Sequence, residues 1–287
     1  MRAFKDWVEE AESKGKRISE VVLQNQMEEL ELSEQELYQR MSKNLTVMRE
    51  AVASGLRGHR RSLSGLIGGD AKKVEDRRKA GGSLVGDKMS GAIARALAVA
   101  EVNACMGKIV AAPTAGSCGV LPAVLLTVEE ACGTSEQELL LALFTAAGLG
   151  IIIAERANIS GAEGGCQAEI GSAAAMAAAA AVELAGGSPQ QSADGAAMAL
   201  KSMLGLVCDP VAGLVEVPCV KRNATGAVVA LTAAEMALSG IHSVIPIDEV
   251  IDAMSAIGRQ MPVGLKETAQ GGLAVTMTGR RIQADFS

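Results

Sequence analysis

Aromatic side chains are nearly missing from this chain. Trp, Tyr and Phe make up 2% of its 287 residues, although 49% of the residues are hydrophobic. The core must therefore be built from Ala, Leu, Val, Ile and Met, and 32 glycines with long alanine runs let elements approach backbone to backbone. Segments in which β-branched and polar residues alternate are scarce, so strands are poorly signalled and the chain reads as all-α. Histidine is scarce too. His59 and His242 are the only two, which leaves little material for a Ser-His-Asp hydrolase or a histidine-rich metal site. Six cysteines contain no C-x-x-C pair, which argues against a zinc ribbon. Neither a P-loop nor a dinucleotide fingerprint stands in a strand–helix context, and no lysine stands out in the α/β setting of a pyridoxal-phosphate enzyme. With 27 Lys and Arg against 33 Asp and Glu the net charge is −6, so no nucleic-acid partner is expected.

Residues 1–10 are charged and amphipathic, without the apolar segment of a secretion leader. The longest apolar run, residues 139–154, lies between Glu138 and Glu155. It is shorter than the roughly 18–20 residues of a membrane span and reads as a buried core helix, with no membrane partner. Six cysteines in a chain of this size, with no leader, suggest the reducing cytoplasm and not a disulfide scaffold.

The chain divides by texture. Residues 1–56 form a charged, helical N-terminal arm, and residues 57–287 the main helical domain. In the arm, Ser33 and Glu36 make a capping box, with Leu32 and Leu37 as its hydrophobic staple. Leu37, Met41, Leu45, Met48, Val52 and Leu56 then recur at spacings of three and four along a helix that Gly55 is expected to end. From residue 57 the sequence H-R-R-S-L-S-G-L-I-G-G-D-A-K-K combines His59, Ser62, Ser64, Lys72 and Lys73 with three glycines. Glycine lets backbone N–H groups approach an anion, which makes this a candidate carboxylate-binding loop. The charged run after it reads as solvated chain and a turn. Residues 88–106 read as a buried helix, followed by a polar loop at 113–122 that offers Thr114, Ser117 and Cys118, with Asn103 beside it.

The most informative stretch runs from residue 159 to 223. It holds Cys166, Cys208 and Cys219, each among glycines or prolines. Soft thiolates brought together from loops suit an iron–sulfur cluster or a zinc ion. Three of them, with no obvious fourth, leave one metal position open for Lewis-acid chemistry. Cys166 precedes an alanine-rich helix at 167–184, where the helix dipole is expected to lower its pKa. Cys105 and Cys132, in apolar helices, read as small buried hydrophobes. His242 reads as a capping or surface residue.

Four motifs carry a resemblance over nearly the whole chain: S-G-L-I-G-G-D-A-K, N-A-C-M-G-K-I-V-A-A-P-T-A-G-S-C-G-V, S-G-A-E-G-G-C-Q-A-E-I-G-S and L-G-L-V-C-D-P-V-A-G-L-V-E-V-P-C-V-K-R-N-A. They resemble the α subunit of bacterial iron–sulfur L-serine dehydratases. The resemblance implies an all-helical fold in which Cys166, Cys208 and Cys219 hold a [4Fe–4S] cluster. The unligated iron would bind L-serine, a base would remove the Cα proton, and pyruvate and ammonia would follow from loss of hydroxide. His59, Ser62, Ser64, Lys72, Asn103, Thr114 and Ser117 are the candidates for substrate binding or proton transfer.

Single-chain members of that family carry a further β region with an S-S-S-H-T-like segment, which this sequence does not contain. The implied partner is a β subunit in an oligomeric αβ enzyme, contributing part of the active site. Some relatives also end in a cysteine that occupies the open iron. This sequence ends Ala284-Asp285-Phe286-Ser287, so that self-inhibition is not expected. The competing readings are an iron–sulfur lyase acting on L-cysteine or another β-substituted amino acid, and a non-catalytic helical binding subunit.

Overall fold

The computed structural model describes residues 3–286. In chain order its helices are α1 (Phe4–Lys14), α2 (Ile18–Leu30), α3 (Glu34–Leu56), α4 (Asp70–Lys79), α5 (Asp87–Ala104), α6 (Val120–Cys132) and α7 (Glu136–Arg156). They continue with the single turn α8 (Gly161–Gly164), α9 (Ser172–Leu184), α10 (Pro189–Lys201), α11 (Cys219–Leu238), α12 (Ile247–Gln260) and α13 (Met277–Asp285). No strand occurs among the described residues, which agrees with the all-α reading.

Alanine decides the architecture. Every residue of α9, SAAAMAAAAAVEL, is buried. Alanine is the best helix former and loses no side-chain entropy on burial, so a helix of methyl groups is stable and thin. That thinness lets α6, α7, α10 and α11 all pack directly on α9. Two stretches, Ala115–Cys132 and Glu136–Arg156, are long and apolar enough to cross a membrane by composition, yet 67% and 61% of them is buried inside the protein. Their apolar surface is spent on the core of this fold.

Local signals match the sequence closely where they are self-contained. Ser33 caps α3, and its N–H donates to the Glu36 carboxylate at 2.9 Å. Ser135 with Glu138 and Ser188 with Gln191 cap α7 and α10 in the same way. Gly133, at φ +67°, ends α6. Gly55 does not end α3, which runs on to Leu56. A Cβ at Gly55 would lie 2.2 Å from the Ala98 carbonyl oxygen, so this glycine serves the close crossing of α3 and α5.

Three other helices start without a capping side chain at the N-cap residue and take a carboxylate from far away. The N–H groups of Phe4 and Lys5 in α1 donate to Asp248 of α12 at 2.9 and 3.0 Å. Ser19 N–H in α2 donates to Glu183 of α9 at 3.2 Å. In α4, Gly69, Asp70 and Ala71 donate to Glu101 of α5. An anion at a helix N-terminus satisfies orphan donors and the positive end of the dipole together. The charged run that begins at residue 72 is consequently a helix and not the solvated loop expected from its composition.

The N-terminal helices share one apolar core with the body, from Phe4 and Trp7 through Leu149 to Ile251. Four of the few aromatics gather at this seam. Phe4 and Trp7 meet edge-on with centroids 6.3 Å apart, and Tyr38 of α3 meets Phe144 of α7 at 5.7 Å. Cys132 departs from expectation, because it sits exposed at the end of α6, and Cys105 is only half-buried.

If methyl-sized side chains are what let α9 fit, enlarging one should be costly. Ala178→Leu is expected to destabilise the fold by about 1–3 kcal/mol through overpacking. Ala53→Leu, at an exposed position of α3, should stay within about 0.5 kcal/mol. Paired denaturant titrations check both values.

Candidate functional site

The structure brings Cys166, Cys208 and Cys219 together from three separate segments. All three are buried, at 2%, 2% and 9% exposure, and they act on one another electrostatically. Each is held differently. Cys166 opens a π-helical turn, Gln167–Gly171, that leads directly into α9. Gln167, fully buried, fixes this turn: its side chain donates to the Met254 carbonyl at 3.1 Å and accepts from Gly205 N–H at 2.9 Å. Cys208 lies in extended chain pinned to the tail, donating from its N–H to the Leu265 carbonyl and accepting from Glu267 N–H. Cys219 is the first residue of α11, preceded by Pro218. Two cis peptides, Ala112–Pro113 and Val217–Pro218, adjoin the site segments.

Burial dominates the thiols' protonation. It pushes Cys166 up to about 11 and Cys219 up to about 12, and raises Cys208 as well. The helix-end effect expected for Cys166 is outweighed, because desolvation of a thiolate costs more than a dipole returns. Two groups nevertheless favour the Cys166 thiolate: the Arg222 guanidinium and the Ile170 N–H. Arg222 is itself positioned by the Asp209 carboxylate at 2.9 Å and the Val207 carbonyl at 2.9 Å. Asp209 also accepts from Leu273 N–H at 2.8 Å, which fastens the C-terminal segment to the site.

The loop after Pro113 forms the opposite wall. Thr114 donates from Oγ1 to Glu169 at 2.8 Å. Ser117 is fully buried and turned inward on the loop, with Thr114 and the Ala112 carbonyl as its partners. Asn103 donates to the Ala115 carbonyl at 3.1 Å. Asn223 ties this loop to the cysteines. Its side chain accepts from Gly119 N–H at 2.8 Å and donates to the Gly116 and Cys219 carbonyls at 2.8 and 3.0 Å.

The other candidates have different surroundings. Ser62 donates to the buried Glu216 carboxylate at 2.7 Å, and Ser64 donates to the same oxygen. Glu216 lies three residues before Cys219, so the two serines brace that segment. The glycine loop does bind a carboxylate, but it is Glu101 of the chain itself that occupies the N–H groups of Gly69, Asp70 and Ala71. Lys72 is exposed and pairs with Asp76 along α4. His59 is exposed, and no hydrogen bond among the described residues joins it to the cysteines or the 113–117 loop. His242 sits 3.0 Å from Asp194, in the wall of a separate cavity of about 420 Å³.

Glu169 is the residue that sequence reasoning passed over. It follows Cys166 by three on the π-helical turn and acts electrostatically on all three cysteines. Burial pushes its carboxyl up, against the Thr114 hydrogen bond, and Glu267 adds to the rise. Two glycines face it: a Cβ on Gly161 would lie 2.9 Å from a Glu169 oxygen and 3.0 Å from Cys208 Sγ, and one on Gly116 would lie 3.2 Å from both Glu169 oxygens. The motif S-G-A-E-G-G-C-Q-A-E-I-G-S holds two acids, Glu163 and Glu169, and nothing in it marks the second as the one beside the cysteines.

Comparison with known proteins gives the family. A family model for the serine dehydratase alpha chain matches residues 13–274. A protein of Bacillus subtilis named probable L-serine dehydratase, alpha chain, is 53% identical over 98% of this chain and 94% of its own length. The L-serine dehydratase alpha chain of Peptoniphilus asaccharolyticus is 40% identical over 100% of this chain and 98% of its own. L-serine dehydratase 1 of Escherichia coli is 46% identical over 63% of this chain, which spans 40% of that longer protein.

Asn223 offers a direct test of how the two walls are joined. Asn223→Leu leaves the Gly119 N–H without its acceptor and should destabilise the protein by about 1–3 kcal/mol. Thermal unfolding at a single pH measures the loss.

Proposed function

Because this chain belongs to the serine dehydratase alpha-chain family, we propose that Cys166, Cys208 and Cys219 hold a [4Fe–4S] cluster on which it eliminates water from L-serine. The enzyme is an L-serine ammonia-lyase. The proposed products are pyruvate and ammonia, formed when the aminoacrylate released by elimination tautomerises and hydrolyses.

The observation that carries the cluster is the convergence of three buried thiols from segments 42 and 11 residues apart. Among the described residues no three His, Cys, Asp or Glu side chains close on a single metal ion. Three soft thiolate donors are the kind of ligand set that an iron–sulfur cluster takes. Iron would take the place of their protons, and the cost of ionising them falls on metal binding. The Arg222 guanidinium and the Ile170 N–H, both on Cys166, supply the hydrogen bonds and charge that stabilise ligated sulfur.

When bound, the cluster supplies a Lewis acid for the substrate hydroxyl, a poor leaving group in water. The chain's own residues do the rest. Thr114 and Glu169 present polar atoms at the cysteines, and Asn223 holds the Thr114 loop in place. The Ser62–Glu216–Ser64 contact braces the approach to Cys219. A fold that buries every cysteine of the site excludes water from it, which strengthens each of these electrostatic contacts.

The α-chain relatives match nearly the full length, whereas the single-chain enzyme is longer, the matched 182 residues being 40% of it. We therefore assign the remaining part of the active site to a separate β chain, in an αβ assembly. The exposed His59 and Lys72 stand outside the cysteine pocket, and any role for them runs through that partner. A cytoplasmic location goes with this reading, since a reducing compartment keeps the thiols free for iron.

The chain purified without oxygen should contain about four irons and about four acid-labile sulfides, with a broad visible band that bleaches in air. Cys166→Ala, Cys208→Ala and Cys219→Ala should each abolish the band and the formation of pyruvate from L-serine. Iron-free protein after anaerobic reconstitution, or three active variants, would refute the assignment.

A further inference from the structure

We propose that Glu169 binds the ammonium group of the amino-acid substrate and thereby sets the enzyme's preference for amino acids over the corresponding hydroxy acids. The inference rests on the L-serine reading above and adds to it the group that recognises the substrate's amine.

Four observations lead to this residue. First, Glu169 stands on the π-helical turn that Cys166 opens, near enough to act electrostatically on all three cysteines. Inserting one residue into a helical turn re-aims the side chains that follow, and such turns recur at functional sites. Second, the carboxylate packs closely against two glycines, where a Cβ would approach its oxygens to 2.9 Å at Gly161 and 3.2 Å at Gly116.

Third, the carboxylate has no cation. Arg222 is engaged by Asp209 and by the Val207 carbonyl, and no Lys or Arg lies within ion-pair distance of Glu169 among the described residues. The charged neighbour that does act on it, Glu267, has the same sign. A carboxylate at a largely enclosed, sulfur-lined position without a counter-ion is costly, and a bound ammonium would offset that cost. Fourth, its one side-chain partner is the Thr114 hydroxyl, on one carboxylate oxygen at 2.8 Å. The second oxygen therefore has lone pairs to offer a donor. An ammonium, with three N–H groups, can bond to it and to nearby acceptors together.

Other buried acids of the chain are used differently. Asp209 holds Arg222, Glu216 holds Ser62 and Ser64, Glu101 caps α4, and Asp248 caps α1. Glu169 is the one that faces the cysteines without such a structural duty. It touches the substrate directly in this proposal, and L-serine lying with its amine on Glu169 would have its hydroxyl free for the cysteine side of the pocket.

The test compares L-serine with 3-hydroxypropanoate, which keeps the hydroxyl and carboxylate and lacks the amine. Binding of both is measured by anaerobic calorimetry on the cluster-loaded enzyme assembled with its β chain, for the native protein and for Glu169→Gln. The native enzyme should bind L-serine more tightly than 3-hydroxypropanoate. A charged hydrogen bond contributes enough that Glu169→Gln should narrow this ratio by about ten- to hundredfold. The visible band and iron content should be unchanged, and KM for L-serine should rise more than kcat falls.

An unchanged ratio in Glu169→Gln would overturn the proposal. So would loss of iron from that variant, since the carboxylate would then be a cluster ligand. If the native enzyme neither binds L-serine nor forms pyruvate from it, the functional reading itself fails, and that is seen before any variant is made.

Discussion

Everything in this fold depends on how closely helices can approach a helix made of alanine. A methyl group fills little space, so α9 can be surrounded by α6, α7, α10 and α11 without voids. Close packing of this kind fixes positions more firmly than a core of flexible long side chains would, because there are few rotamers to exchange. The segment that profits is the one joined to the N-terminal end of α9, namely the π-helical turn with Cys166 and Glu169. The least chemically interesting helix in the chain thus provides the rigid base for its most reactive part.

Around that base, charge is used to join distant segments. Carboxylates from α5, α9 and α12 cap the starts of α4, α2 and α1, and Asp209 holds Arg222 while receiving the Leu273 N–H. Glu101, Asp248 and Asp209 each meet several donors at once, which is how a buried carboxylate avoids the full penalty of desolvation. Asn223 does the same with neutral groups, joining the Thr114 loop to the Cys219 helix. The site is therefore built from bonds between segments far apart in sequence, and its cysteines inherit their positions from those bonds.

That explains what could be read beforehand. Features that depend on neighbours a few residues away were legible: the capping box at Ser33 and the buried alanine helix. The all-α class followed from the shortage of strand signals. The three cysteines stood out because glycine and proline around them marked loops, and the long motifs around them pointed to a family whose model also matches this chain. Features that depend on distant partners were not legible. Helix α4 looked like solvated loop because its cap, Glu101, comes from the next helix. The glycine loop looked ready for a ligand's carboxylate for the same reason. Gly55 looked like a stop signal because its true partner, Ala98, is more than forty residues away. Glu169 was hidden by its ordinary place in a helix, since nothing in the sequence announces a π-helical turn.

The placement of the aromatics has a practical consequence. Trp7 is the chain's one tryptophan, buried 6.3 Å from Phe4 where α1 meets the body, close to Val22 and Gly148. Intrinsic fluorescence from this protein is therefore a signal about the seating of its N-terminal helices. The cysteine pocket, lined by sulfur, carboxylates and small residues, is silent in that channel. An unfolding curve followed by tryptophan emission would record when the N-terminal helices come away, and a curve followed by helical dichroism would record the whole bundle. Any gap between the two would measure how independently that edge of the molecule melts.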